Sequence, residues 1–121
     1  MNSKEILKVA VKALDNKKAE NIAAIRVEKL TALAEYFLIV TATSNTHVRA
    51  LTDEVEDTLT ALGERPHHIE GKASGWIVID YRSVIVHIFT PEQREFYGLD
   101  SMWSDGEIID LTDILEDGEE K

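Results

Sequence analysis

The chain has 121 residues, 44% of them hydrophobic and 30% charged, with a formal net charge of -10. That size fits one domain with a real core. The acidity argues against dominant RNA or DNA binding, because a negative surface gains nothing from counterion release. There is no cysteine, which excludes disulfides, thiolate metal sites and cysteine nucleophiles, and fits a reducing cytoplasm. The first residues show neither a long apolar run nor a small-residue cleavage site, so neither a signal peptide nor a membrane span is expected.

Taken in chain order, Ser3 is placed to cap a first helix with Glu5 in its first turn. Ile6, Val9, Ala10, Ala13 and Leu14 form its apolar face. Asn16 to Lys18 end it. Ile22 to Val27 is β-branched-rich and reads as a strand, whereas Lys29 to Ala34 is ambiguous between loop and helical turn. Tyr36 to Thr41 (YFLIVT) is a continuous apolar run suited to a central strand covered on both faces. Val48, Leu51, Val55, Leu59 and Leu62 then recur at steps of three or four. They define an amphipathic helix capped by Asn45 or Thr46 and stopped by Gly63. Glu64 to Ser74 reads as a loop with one short strand near His68 to Glu70.

Gly75 to Thr90 has the alternation of a β-hairpin. With Tyr81 and Arg82 as the turn, Val78 faces Ile85 and Trp76 faces His87. Ile77, Ile79, Val84, Val86 and Ile88 then share the opposite face. Thr90-Pro91-Glu92-Gln93 is a helix start with a threonine cap and proline in the first turn, and Gly98 ends that helix. Glu107 to Leu111 suits an edge strand, and the last residues, EDGEEK, should fray. The order α-β-β-α-β-β-β-α-β implies a mixed β-sheet flanked by helices, an α/β or α+β fold. Residues 1–104 form the expected single domain. Residues 105–121 form an expected acidic, partly disordered tail: Ser104 to Lys121 holds eight acidic residues and one lysine. Such a charge favours a basic protein partner, chiefly through encounter rate and orientation, or simply keeps the protein soluble.

No phosphate-binding glycine loop, HExxH, EF-hand loop or GxSxG elbow occurs. His47 sits in the first turn of the long helix and reads as solvent-facing. His67 and His68 are adjacent, so on a strand they point apart, which suits joint metal ligation poorly. The acidic run around Asp53 to Asp57 lies on a solvated helix, Asp80 stands alone, and Thr43-Ser44 lacks a preceding glycine. No carboxylate pair converges as two-metal chemistry requires. What remains is a surplus apolar-aromatic hairpin face: Trp76, Val78, Ile85, His87 and Phe89. Such a face is a candidate docking surface. Arg94 and Tyr97 share one face of the following helix and extend or support it, and Trp103 plugs that helix's end.

Together these segments resemble the ribosomal silencing factor family, also called the Iojap or YbeB family. The resemblance is carried by Glu35 to Leu51, Pro66 to Gly71, Gly75 to Tyr81, Val84 to Phe89, and Arg94 to Trp103. Two departures are Arg82-Ser83, where the family usually has glycine-aspartate in the hairpin turn, and Met102 for a leucine. The resemblance implies a nucleotidyltransferase-like fold without catalytic carboxylates, no cofactor, and binding rather than catalysis. The implied partner is large-subunit ribosomal protein number fourteen, on the face that meets the small subunit. Occupying it would block subunit joining and lower translation; organellar members are tied to ribosome assembly. The expected contact residues are Trp76, Val78, Asp80, Ile85, His87 and Phe89, with Arg94 and Tyr97 beside them. A nucleotidyl-transfer enzyme and a plain homodimerisation module remain the alternatives.

Overall fold

The computed structural model describes residues 1–71, 75–112 and 114–115. Helix α1 spans Ser3–Asn16, and its cap is Asn2 rather than Ser3. The Asn2 side chain accepts the Glu5 N–H while the Glu5 carboxylate accepts the Asn2 N–H, a reciprocal capping box. Strand β1 (Glu20–Arg26) and strand β2 (Tyr36–Thr41) pair antiparallel, with a bulge between Glu20 and Ala23. Helix α2 (Asn45–Ala61) is capped one residue before the expected candidates: Ser44 Oγ accepts the His47 N–H at 3.1 Å. Leu62 lies past its last turn, which is why this expected core residue is 55% exposed.

The short strand β3 (His68–Glu70), strand β4 (Trp76–Asp80) and strand β5 (Val84–Phe89) follow. Helix α3 (Pro91–Tyr97) starts at Thr90 with proline in its first turn, but the threonine side chain makes no capping hydrogen bond. Gly98 closes it in the left-handed region at φ 60, and a further one-turn helix, α4 (Leu99–Met102), follows at once. Strand β6 (Glu107–Ile108) is shorter than the edge strand expected.

The strands form one sheet in the order β3-β4-β5-β2-β1-β6. Among the described residues only β2 and β5 run parallel; the other neighbours are antiparallel. This is a mixed six-stranded sheet with helices packed on it, an α+β fold. Strand β2, buried at all six positions, serves both faces. Tyr36, Leu38 and Val40 join the larger core under α1 and α2, while Phe37 and Ile39 join a smaller one on the other side. Helix α1 buries a wider stripe than its sequence face suggested, adding Leu7 and Val11. It packs beside α2 as well as on strands β2 and β5 and so has two surfaces to cover.

The hairpin register differs from the expectation. Trp76 pairs with Phe89, Val78 with His87, and Asp80 with Ile85. The loop is Arg82-Ser83, not Tyr81-Arg82. Arg82 sits at φ 71, and the Ser83 N–H bonds back to the Tyr81 carbonyl at 2.9 Å, a γ-turn centred on arginine. Asp80 Oδ1 steadies it by accepting the Arg82 N–H at 2.6 Å. The slip is two residues. A strand's side chains alternate with period two, so each residue keeps its face and only its cross-strand partner changes.

The packed unit also runs past residue 104. Glu107 and Ile108 pair with Arg26 and Ile25, and Leu111 and Ile114 are buried in the larger core. The boundary expected at 104 is therefore not a boundary of the core. The frayed end expected for residues 116–121 lies outside the described residues.

Candidate docking surface

The two sheet faces are covered differently. Under α1 and α2 the sheet presents Ile77, Ile79, Val84, Val86 and Ile88, as the alternation predicted, all buried. The opposite face carries Trp76, Val78 and Asp80 from β4, Ile85, His87 and Phe89 from β5, and Phe37 and Ile39 from β2. Helices α3 and α4 and the following Trp103 fold back over it, but only in part.

Phe89 and His87 are not surface residues. Phe89 is fully buried and His87 is 6% exposed. Trp76 stacks on Phe89 at 5.0 Å between centroids and meets Tyr97 at 4.3 Å. Phe37 meets Trp103 at 4.8 Å and His87 at 5.0 Å, both in edge-to-face geometry. Leu99 of α4 is buried in the same cluster. The expectation that this face lacked a covering element is thus corrected. The cover is α4, a turn too short to show periodicity in the sequence.

Arg94 is also reassigned. Its guanidinium makes a fork to Asp100, with Nε–Oδ2 at 3.0 Å and Nη2–Oδ1 at 2.8 Å. Its Nη1 donates to the Asn21 carbonyl at 2.7 Å and to Thr41 Oγ1 at 2.9 Å. The Arg94 guanidinium in turn holds the Asp100 carboxyl below its usual range. With every arm engaged, Arg94 ties α3 and α4 to the ends of β1 and β2 and has little left for a partner. Asp80 is half-committed, to the turn at Arg82.

What stays accessible is a shallower surface. Trp76, Val78, Ile85 and Trp103 are half-buried, Tyr97 is 40% exposed, and Phe96 and Met102 stand out at 78% and 66%. Phe96 and Met102 were not among the expected residues. Their signal was present but faint: a seven-residue helix cannot bury Phe96 on the same side as Arg94 and Tyr97. Glu70, opposite Val78, and Asp80, opposite Ile85, add negative charge on the same sheet face. It offers apolar and aromatic area with few polar handles, a composition suited to recognition by burial.

The other histidines make structural contacts. His47 Nδ1 accepts the Thr43 N–H at 2.8 Å, so Nε2 carries the proton and donates to the Lys17 carbonyl at 2.7 Å. It pins the end of α1 to the start of α2 instead of facing solvent freely. His67 meets the Arg82 guanidinium at 3.1 Å, and His68 lies 3.6 Å from Glu70 and 3.7 Å from Asp80. Among the described residues no group of three His, Cys, Asp or Glu side chains could hold a metal ion, and no helix is long and apolar enough to cross a membrane.

A small α+β domain with a half-open aromatic face is the class that fold and surface define. The family described as "Ribosomal silencing factor during starvation" matches residues 1–121. A ribosomal silencing factor of Bacillus subtilis is 37% identical over 112 residues, 92% of this chain and 95% of the relative. The mouse protein named for mitochondrial assembly of the ribosomal large subunit is 33% identical over 98 residues, 78% of this chain and 43% of its own. A crystal structure of a Chromobacterium violaceum protein superposes with a TM-score of 0.83 at 32% identity, covering 86% of this chain and 88% of that one. The chain belongs to the ribosomal silencing factor family.

Proposed function

We propose that this protein docks on the large ribosomal subunit through the half-open face of Trp76, Val78, Ile85, Tyr97 and Trp103, flanked by Phe96 and Met102. By occupying the joining surface, at large-subunit ribosomal protein number fourteen, it hinders association with the small subunit and so lowers translation. The observation that carries this reading is the half-open aromatic surface in a chain of net charge -10. The burial needed for affinity is available there, and the surrounding charge favours a basic protein surface over RNA phosphate. Silencing of this kind asks only for bulk in the right place. The mouse relative, whose name refers to large-subunit assembly, supports the choice of subunit.

The test is sedimentation with separated subunits at moderate salt. Selective co-sedimentation with large subunits is expected, with fewer joined ribosomes when small subunits are added. Phe96→Glu and Met102→Glu, at exposed positions where the fold is not at stake, should each weaken it. Binding to neither subunit overturns the reading. A concentration-dependent dimer that buries Phe96 without binding ribosomes would assign the face to self-association instead.

A further inference from the structure

Strand β5 places His87 in a layer of rings where phenylalanine or leucine would pack as well. The observed register makes Trp76 and His87 diagonal neighbours, because Trp76 stands opposite Phe89 and His87 opposite Val78. Diagonal pairs lie within reach of large side chains. The Trp76 indole Nε1–H donates to His87 Nδ1 at 3.3 Å, a long hydrogen bond. The indole is then boxed on three sides, with Phe89 stacked at 5.0 Å, Tyr97 at 4.3 Å and the His87 ring at 6.0 Å. His87 itself is fixed: Phe37 presses on it at 5.0 Å, and its ring lies parallel to Phe89 within 10°.

We infer that His87 is the positioning residue of the docking surface: its Nδ1 accepts the Trp76 N–H and holds the indole in the orientation a partner recognises. This inference rests on the docking reading above. Three observations converge on it. First, an Nδ1 that accepts leaves the proton on Nε2, and that buried atom has no partner among the described residues. A buried donor left open is costly, so a histidine kept here has a use that packing alone does not supply. Second, its ladder and ring neighbours Val78, Ile39, Phe37 and Phe89 carry no charge. Burial therefore holds the ring neutral, with its pKa pushed down to about 4. A neutral ring is the only form in which Nδ1 can accept. Third, Trp76 is only half-buried, so an indole without this bond could turn about its side-chain torsions toward solvent.

The experiment has a spectroscopic arm and a binding arm. In long-range proton–nitrogen spectra of the free protein near pH 7, His87 should show the proton on Nε2 and a bare Nδ1. The Trp76 indole N–H should exchange slowly. His87→Phe keeps the rings and removes the acceptor, so it should speed that exchange at least about tenfold. His87→Asn, whose Oδ1 lies near the Nδ1 position, should restore most of the protection. Binding to purified large subunits should weaken about tenfold in His87→Phe, the worth of one hydrogen bond, and recover in His87→Asn. A proton on Nδ1, or unchanged indole exchange in a folded His87→Phe, overturns the clamp. Lost protection with wild-type binding overturns its role in recognition. Wild-type protein that binds no large subunit defeats the docking reading, and the clamp then stands or falls on the spectra alone.

Discussion

The two faces of the sheet are built from different materials. One is aliphatic, closed and thick: Ile77, Ile79, Val86 and Ile88 meet two long helices and leave nothing exposed. The other is aromatic, thin and half-open, covered by a seven-residue helix and a four-residue turn. Branched aliphatic side chains interdigitate to crystal-like density and suit a face whose work is stability. Flat rings with polar edges keep their shape when only one side is covered, which suits a face that must also meet something else. The lesson is that stability and recognition have been assigned to opposite sides of one sheet, and substitutions should separate them.

The largest effect should come from the closed side. Leu51 of α2 is fully buried there, and Leu51→Ala should destabilise by about 3 kcal/mol in urea unfolding. On the open side Ile85→Ala should cost less, about 1–2 kcal/mol, because part of the side chain is already in water. Equal losses would erase the distinction between the faces.

Acid should act through the open side. His87 has its pKa pushed down to about 4 by burial, against about 6.5 in the unfolded chain. As pH falls, the unfolded chain takes up the proton first. The stability linked to His87 is therefore fully present above pH 6.5 and is lost progressively as pH falls toward 4. The loss amounts to about 3 kcal/mol at most. His87→Phe should flatten that part of the stability curve, and an unchanged slope between pH 6.5 and 4 would show that the ring is not held neutral.

Arg94→Gln should come next. It removes the fork to Asp100 and the anchors to Asn21 and Thr41, at about 2 kcal/mol. Hydrogen exchange should rise in α3 and α4 before it rises in α1 and α2. The smallest effect is a gain. Arg82 occupies φ 71, where a side chain is strained, so Arg82→Gly should raise stability by about 0.5–1 kcal/mol, less whatever the His67 contact contributes.

Sequence reasoning recovered the order of elements, the one-turn α4 excepted, because the period of apolar residues is a local property. It named Tyr36 to Thr41 as a strand covered twice, and the short His68 to Glu70 strand. The caps were misplaced by one or two residues, Ser3 for Asn2 and Asn45 or Thr46 for Ser44, since several neighbouring side chains can each accept from an open helix end. The site was half legible. Alternation put Trp76, Val78, Ile85, His87 and Phe89 on one face whatever the register. Which of them lie beneath the surface depends on α4 and Trp103 folding back, and on Arg94 being spent on Asp100. Those are tertiary events with no period to read.

The single parallel pair, β2 with β5, has a consequence for how the chain finds its fold. Every other pairing that builds the centre joins strands close in sequence: β1 with β2, β3 with β4, and β4 with β5. Joining β2 to β5 means closing a loop that contains α2, β3 and β4. The entropy of that closure is lost before the contacts across the seam offset it. Two local subassemblies should therefore form early, and their union along β2 and β5 should set the folding rate.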